Sequence, residues 1–412
     1  MGGNLAAARR AIIIGGSMAG LFAALLLRRA GWQVQVYERT GSELSGRGAG
    51  IVTHAELLDL MHACGVDAAD ARVGVHVAGR RVFARDGHLS HELPLEQLVT
   101  SWGHLYGLLR AVLPDETYHH GFDLARVEDG PNGVRAHFTD GRVAEGDLLV
   151  GADGIYSTVR AQFLPQAEPA YAGYIAWRGM VGESELSEAT RADLCDHFAF
   201  TLPATEQMLG YPVAGPDESM ARGQRRFNFV WYRPAPPDVL KDLLTDSDGV
   251  SHPVSIPPNR IRPEVVAAAR KAARETLSPQ FAEVVERTVQ PFIQVIRDLE
   301  TPRLDLAPHT VILGDAAFVA RPHVGMGVTK AASDAAELVA ALERHGRDIP
   351  AALADFSRTR VAYGEAVVRR ARRLGAYMQT EPLSAEDRAA AEHHRQPECV
   401  MAETAVAVGI AA

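Results

Sequence analysis

The chain has 412 residues, 47% of them apolar and 23% charged, with a formal net charge of −9. That length supports two hydrophobic cores, or one domain interrupted by another. The negative balance and the scattered arginines exclude the basic field that nucleic-acid binding requires, and no apolar run approaches the roughly 20 residues of a bilayer-spanning helix, so the expected partner is a small molecule.

Residues 11–14 are wholly apolar, as in a parallel strand covered on both faces. GGSMAG follows, then an apolar stretch to residue 30 that reads as a helix stopped by Gly31. Residues 33–37 alternate as a second strand that ends at Glu38. Strand, glycine turn, helix, strand and acid form a βαβ unit that sets a turn against a nucleotide pyrophosphate and an acid against its ribose. Gly15, Gly16, Ser17, Met18, Ala19 and Gly20 make that turn and the first helical N–H groups, where the helix dipole favours phosphate. Glu38 and its neighbour Arg39 are the candidates at the ribose end. Ser17 stands where the pattern usually has its second glycine.

The segment LSGRGAGI is a second glycine-dense loop, in which Arg47 either reaches a phosphate or is a solvated turn residue. A helix is expected over residues 55–63, with His54 at the surface before it. Residues 72–93 read as a hairpin with Asp86-Gly87 as its turn. A helix over 100–113 and strands over 122–127 and 134–138 come next, then a turn at Asp140-Gly141. DLLVGADG runs an apolar strand into Gly151, Asp153 and Gly154, where an acid at the strand's carboxyl end meets a ligand or forms a tight turn. Cys64, Cys195 and Cys399 are widely separated and odd in number, so no disulfide framework or metal site is expected and a reducing cytoplasm fits.

From about residue 171 to 233 the sequence turns strand-rich and aromatic, a second region with its own sheet. Its aromatics either cover a flat ligand or fill a core. Helices are expected over 263–277 and 279–288, and a strand over 292–296. Residues 310–313 run into Gly314-Asp315, and VGMGV opens an alanine-rich helix that reaches about residue 344. Another helix spans 349–379. A solvated tail is expected beyond it, in which His393 and His394 lack a matching set of metal ligands.

Three glycine–acid loops at these separations carry more than any one alone, and the sequence resembles the single-component (group A) flavoprotein aromatic hydroxylases over roughly residues 11–379. IIIGGSMAGL, LSGRGAGIV, YAGYIAWRG, FNFVWY and LGDAAFVARPH narrow the resemblance to the 2,6-dihydroxypyridine 3-monooxygenase-like subgroup, which also carries serine in the second glycine position. The resemblance implies an α/β fold: a Rossmann-like FAD-binding domain interleaved with a substrate domain built on a mostly antiparallel sheet, plus C-terminal helices. The FAD domain is assigned residues 8–71, 99–165 and 291–345, the substrate domain 72–98 and 166–290, then a helix 346–380 and a tail 381–412. A homodimer or higher homo-oligomer is compatible with it.

The implied cofactor is FAD, with NADH or NADPH as transient donor and a small aromatic substrate and O2 as partners. In the family NAD(P)H reduces FAD, O2 adds at flavin C4a, and the terminal oxygen of the hydroperoxide passes to an electron-rich ring, here a hydroxypyridine. A phenol or salicylate-type ring is the alternative, and a non-catalytic FAD-binding partner protein a further one. The resemblance implies Glu38 at the adenosine ribose, Val127 along the adenine, and Asp153, Gly314 and Asp315 at FAD. Pro322, Gly325, Met326, Gly327 and Val328 are implied near the flavin. His323 and Tyr211 are the catalytic candidates. Met208, Tyr211, Phe229, Trp231 and His323 are candidates for the substrate wall, although neighbouring strand residues point to opposite faces and only some can line it. Trp102, Phe318, Met326 and Thr329 depart from the Arg, His, Gln and Asn common in the wider family. Because glycine permits an equally close approach, Ser17→Gly is expected to retain FAD, as read from the flavin absorbance of the purified variant; a colourless variant would make the hydroxyl a required ligand.

Overall fold

Arg10–Ile14, Leu148–Gly151 and Thr310–Ile312 are short and apolar enough to need cover on both faces, and they lie side by side in parallel. The computed structural model, which describes residues 8–44, 50–66, 73–379 and 384–407, places them inside a six-stranded sheet. The sheet runs in the order Asp305–Ala307, Thr310–Ile312, Leu148–Gly151, Arg10–Ile14, Gln33–Glu38, Tyr118–His120, parallel except for its first pair. Ile14 is level with Gly151, and Gly151 with Ile312, so the three central strands end together. Helices Met18–Arg29 and Gly327–His345 pack against each other, burying Leu21, Phe22, Ala332 and Ala335. A three-stranded antiparallel sheet, Leu124–Gly130, Gly133–Phe138 and Val143–Gly146, adds Val127, Val134 and Phe138 to the same core.

The aromatic region forms a seven-stranded sheet centred on Ala170–Gly182, Arg226–Pro234 and Gln207–Val213. Both of its faces are covered, and the side-chain period of two divides its aromatics between them. Ile175, Trp177, Met208, Phe229 and Trp231 form one cluster with helices Pro263–Thr276 and Pro279–Arg287. Tyr174, Leu209, Tyr211, Val230 and Tyr232 belong to the cluster on the other face, turned toward the glycine loops.

Four expectations need correction. The alternation over 72–93 is not one hairpin: residues 67–72 lie outside the described residues, and Val75–Val77 pairs with Gln97–Ser101, which also pairs with Gly50–Val52. Only Arg80–Phe83 and Leu89–Leu93 close over the Asp86-Gly87 turn, because local alternation does not specify a distant partner strand. The following helix starts at Trp102, where the Ser101 hydroxyl accepts from the His104 N–H at 3.2 Å. His54 is buried, with Nδ1 3.0 Å from the Thr329 hydroxyl.

The fourth correction concerns the tail. Helices Ala385–His394 and Pro397–Glu403 return to the body of the protein, and Val400, Met401 and Ala405 are buried there. Arg80 explains the docking. Its fully buried guanidinium donates to the carbonyls of Met401 and Thr404, each at 2.6 Å, and to Gln97 Oε1 at 2.7 Å. The Gln97 amide donates to the Ala405 carbonyl at 2.8 Å, and the Ala405 N–H to the His323 carbonyl at 2.8 Å. Among the described residues no helix is long and apolar enough to cross a membrane. Arg80→Met removes the charged donor and strands two carbonyls, so it should cost about 2–4 kcal/mol in urea unfolding and open the chain after residue 384 to limited proteolysis. A variant whose tail stays as protease-resistant as the parent's would refute this role.

Candidate functional site

The level ends of the central strands bring three loops to one edge of the sheet: residues 15–17, 152–154 and 313–315. The Ala152 N–H donates to the Ile14 carbonyl at 2.7 Å, and the Leu313 N–H to the Gly151 carbonyl at 3.1 Å. Two glycines make this convergence possible. Gly15 has φ +102°, and a Cβ there would lie 2.3 Å from the Ala152 carbonyl oxygen; Gly314 has φ +63°, and a Cβ would lie 2.6 Å from the Ala19 Cβ.

The first two loops border a cleft of about 240 Å³ with Gly15, Ser17, Glu38, Arg39, Asp153 and Gly154 on its walls. Ser17 caps no helical N–H with its side chain, which leaves the hydroxyl and the start of Met18–Arg29 available to a phosphate. Glu38 is buried, and its carboxylate accepts from the Gly16 and Thr40 N–H groups, each at 2.9 Å. It therefore fixes the glycine turn as well as facing the cleft. Asp153 Oδ2 accepts from the Val159 N–H at 3.2 Å, while its buried Oδ1 has no partner among the described residues. Burial raises the Asp153 carboxyl pKa, opposed by hydrogen bonds from Ser157 and the following backbone. Trp102, Phe122 and Leu124 add an apolar wall.

Some expected contacts lie elsewhere. Met18, Ala19 and Gly20 are buried under the turn and offer the cleft only backbone. Gly16 also faces protein: its carbonyl accepts from the Tyr118 hydroxyl at 3.0 Å. Val127 sits in the core with its N–H and carbonyl both bonded to the Gln162 amide, at 2.8 and 2.7 Å, so the adjoining cleft wall is Phe122, Asp123 and Leu124 instead. Arg47 lies outside the described residues.

A second cavity of about 280 Å³ lies between the Gly314 loop, the turn over residues 322–328 and the aromatic sheet. Asp315, Pro322, Gly325, Gly327 and Val328 form one side, with Asp315 open to the cavity itself. Burial raises the Asp315 carboxyl pKa, and neighbouring Asp334 adds to that while Lys330 opposes it. The N–H groups that begin Gly327–His345 stand over this side. Met326 does not line it: its side chain packs among Val324, Val367 and Leu374. Tyr211 faces the cavity with Leu209, Val230 and Tyr232. Met208, Phe229 and Trp231 do not, because each is one residue out of phase and packs on the helical side; the Trp231 N–H donates to Glu206 at 2.8 Å.

His323 is the other correction. It is 1% exposed, and its ring nitrogens are engaged by the Tyr174 hydroxyl at 2.9 Å and Gln207 Oε1 at 3.0 Å. Burial, assisted by nearby Arg321, pushes its pKa down to about 3, so the ring is neutral at physiological pH. It supports the turn from behind.

Sequence patterns did not reveal the residues that hold the Gly314 loop. Asp334 accepts from the Gly314 N–H at 3.0 Å and from Arg360 Nε at 2.7 Å, while the Lys330 ammonium donates to the Gly314 carbonyl at 2.8 Å. Burial would raise the Asp334 carboxyl pKa, but Lys330, Arg360 and these hydrogen bonds outweigh it and hold it low. An acid four residues after a lysine inside a long alanine-rich helix was the available signal. Arg178, Thr404 and Ala405 also line the second cavity. At the surface, His393, Cys399 and Glu403 place ligand-type atoms within 4.8 Å of one another, so the expected isolation of His393 does not hold. The Cys399 Sγ, however, sits 3.7 and 3.5 Å from the two ring nitrogens, against the ring edge rather than on one lone pair.

Residues 13–71 match the NAD(P)-binding Rossmann-like domain family and residues 171–298 the FAD binding domain-like family. The chain is 31% identical over 371 residues to 2,6-dihydroxypyridine 3-monooxygenase of Paenarthrobacter nicotinovorans, spanning 90% of this chain and 91% of the relative. It is 31% identical over 382 residues to 3-amino-4-hydroxybenzoate 2-monooxygenase of Streptomyces cremeus, spanning 89% and 86%. The solved structure of 2,6-dihydroxypyridine-3-hydroxylase from Arthrobacter nicotinovorans aligns with a TM-score of 0.83 at 30% identity, over 90% of this chain and 93% of that one. A phosphate-ready turn, an orphaned Asp153 oxygen and an acid beside the second cavity suit the pyrophosphate and hydroxyl groups of FAD. The chain belongs to the FAD-dependent aromatic monooxygenases.

Proposed function

We propose that this enzyme hydroxylates a small hydroxypyridine, using O2 and NAD(P)H. The observation that carries this reading is the second cavity, about 280 Å³ walled by Phe198, Leu209, Tyr211, Val230 and Tyr232 opposite Asp315 and Gly327. Its walls suit one flat ring with polar substituents rather than an extended chain.

Bound FAD supplies the redox and oxygen chemistry. The chain's own residues supply position and environment. Gly15, Ser17, Glu38 and Asp153 hold the nucleotide end, and Asp334 with Lys330 fixes the loop that presents Asp315. The start of Gly327–His345 directs its positive dipole end toward negative charge held over the turn. Val52, Leu209, Val230 and Ile296 keep water from the ring, and Thr404 and Ala405 close one side.

A hydroxybenzoate ring is the second reading, favoured by the Streptomyces cremeus relative, which is named for a benzenoid phenol. All three cysteines are free, Cys64 and Cys195 of them buried, which supports a reducing cytoplasm as the compartment. The test is a screen of hydroxypyridines and hydroxybenzoates for faster NAD(P)H bleaching of the yellow protein, with product mass read for one added oxygen. Acceleration and product from benzenoid rings alone would overturn the pyridine assignment.

His323 yields a separate expectation. The unfolded chain takes up a proton on this residue below about pH 6.5, whereas the folded ring does so only near pH 3. Stability therefore rises with pH across that window and is lost as pH falls through it. Thermal melts of His323→Gln should show a flatter acid limb, while the pH profile of turnover near neutrality stays in place. A turnover profile that moves with this substitution would restore His323 to the chemistry.

A further inference from the structure

The last hairpin of helices sets four ligand-type side chains against one another. Ala385–His394 ends on His393 and His394, and Pro397–Glu403, which follows at once, carries Cys399 and Glu403. The latter two are four residues apart, so they share one face of their helix. His393 Nε2 lies 3.5 Å from the Cys399 Sγ and 3.2 Å from Glu403 Oε1, and His394 Nδ1 lies 3.4 Å from Glu403 Oε2. A zinc-class ion holds sulfur at about 2.3 Å and nitrogen or oxygen at about 2.0–2.2 Å in a tetrahedron, which spaces sulfur about 3.5 Å from nitrogen and nitrogen about 3.3 Å from oxygen. The hairpin already has those spacings.

Hydrogen bonding within the protein does not account for the cluster. The His394 side chain is only 12% exposed, and its buried Nδ1 has no hydrogen-bond partner among the described residues. The Cys399 Sγ meets the His393 ring edge-on, where a thiol gains little. That ring is 59% exposed, so it is free to turn about its Cβ–Cγ bond and aim one nitrogen at a point shared with the sulfur. Neighbouring charges are matched elsewhere: Glu398 with His91 at 3.2 Å, and Arg373 with Glu386 at 2.8 Å. Arg370 Nη2 donates to the Glu403 carbonyl at 3.4 Å, which leaves the Glu403 carboxylate to the cluster. Of the three cysteines, Cys399 alone is not buried, so an ion from solvent reaches it.

We propose that His393, His394, Cys399 and Glu403 form a zinc-class metal site that clips the last hairpin of the chain. On binding, the thiol gives its proton to solvent and nothing is oxidised or reduced. Two neutral imidazoles, a thiolate and a carboxylate then balance the divalent charge in a closed set of four, the form of a structural rather than a catalytic centre. None of the four side chains lines the second cavity, but Glu403 is followed directly by Thr404, which does. The clip thus fixes the segment whose Met401 and Thr404 carbonyls accept from Arg80. It is independent of which ring the enzyme hydroxylates.

The test uses tag-free, FAD-loaded protein stripped with a chelator, desalted and titrated with Co2+, a spectroscopic stand-in for Zn2+. One Co2+ per chain should bind, with d–d bands of tetrahedral strength to the red of the flavin spectrum, and Zn2+ should displace it. Cys399→Ser and His393→Ala should each keep full FAD content and weaken binding by at least about tenfold, since loss of even a supporting contact around a metal costs that much. With Zn2+ at about ten times its Kd, trypsin cleavage within residues 384–407 of the parent should slow by about tenfold, and that of Cys399→Ser at the same concentration should not change. Pale octahedral bands that persist in Cys399→Ser would mark an adventitious ion and overturn the site, as would a parent that binds no Co2+. Tetrahedral bands without slower cleavage would overturn the clip.

Discussion

The site depends on three parallel strands ending at the same level. Ile14, Gly151 and Ile312 share one register, so the loops after them emerge on one edge with no room to spare. A one-residue slip of any strand would turn its acid to another face and drive backbone into backbone. The glycines are a consequence of that alignment: Gly15 lies against the Ala152 carbonyl and Gly314 against Ala19, at separations where a Cβ would overlap. Ligand binding at the carboxyl ends of strands is thus set by the same packing that makes the core.

Buried charge follows a consistent pattern around that edge. Asp334 is surrounded by Lys330, Arg360 and a backbone N–H, and Asp298 by Arg321 and Arg372, so each acid is matched by cations and hydrogen bonds. Arg225 is held in the same way by Glu183 and Asp196. These pairs are about position more than net stability, since desolvation offsets much of their attraction. The fully buried Arg80 and the half-buried Arg178 break the pattern, for different reasons. Arg80 is held through its two Nη atoms, Nη1 by carbonyls at the end of a helix, where the backbone itself is partially negative, whereas Arg178 lines the second cavity.

Much of this was legible in the sequence because it is local. Each glycine–acid loop sits between a strand and a helix that announce themselves by their own periodicity, and the family resemblance followed from finding three together. What failed was non-local. Trp231 and Tyr232 are equally aromatic neighbours on one strand, and only the covering helices decide that the first is core and the second faces the cavity. His323 lies next to the turn in sequence but is captured by Tyr174 and Gln207 from distant strands. The segment beyond residue 380 has an unremarkable composition, and nothing local in it signals that Arg80, more than 300 residues earlier, accepts its end.

That last contact has a consequence for how the enzyme comes into being. Gly50, Ile51 and Val52 and, about 350 residues later, Thr404 and Ala405 border the same cavity, so at about 5–20 residues per second synthesis of the intervening chain takes tens of seconds. The cavity is therefore completed after both sheets exist. Until then Arg80 stays hydrated, and the ring site has an open side. A chain that has not yet reached Thr404 already holds every residue that lines the nucleotide cleft, while the ring chamber lacks one wall. The complete wall of the ring chamber thus waits on residues synthesised long after the rest of its lining.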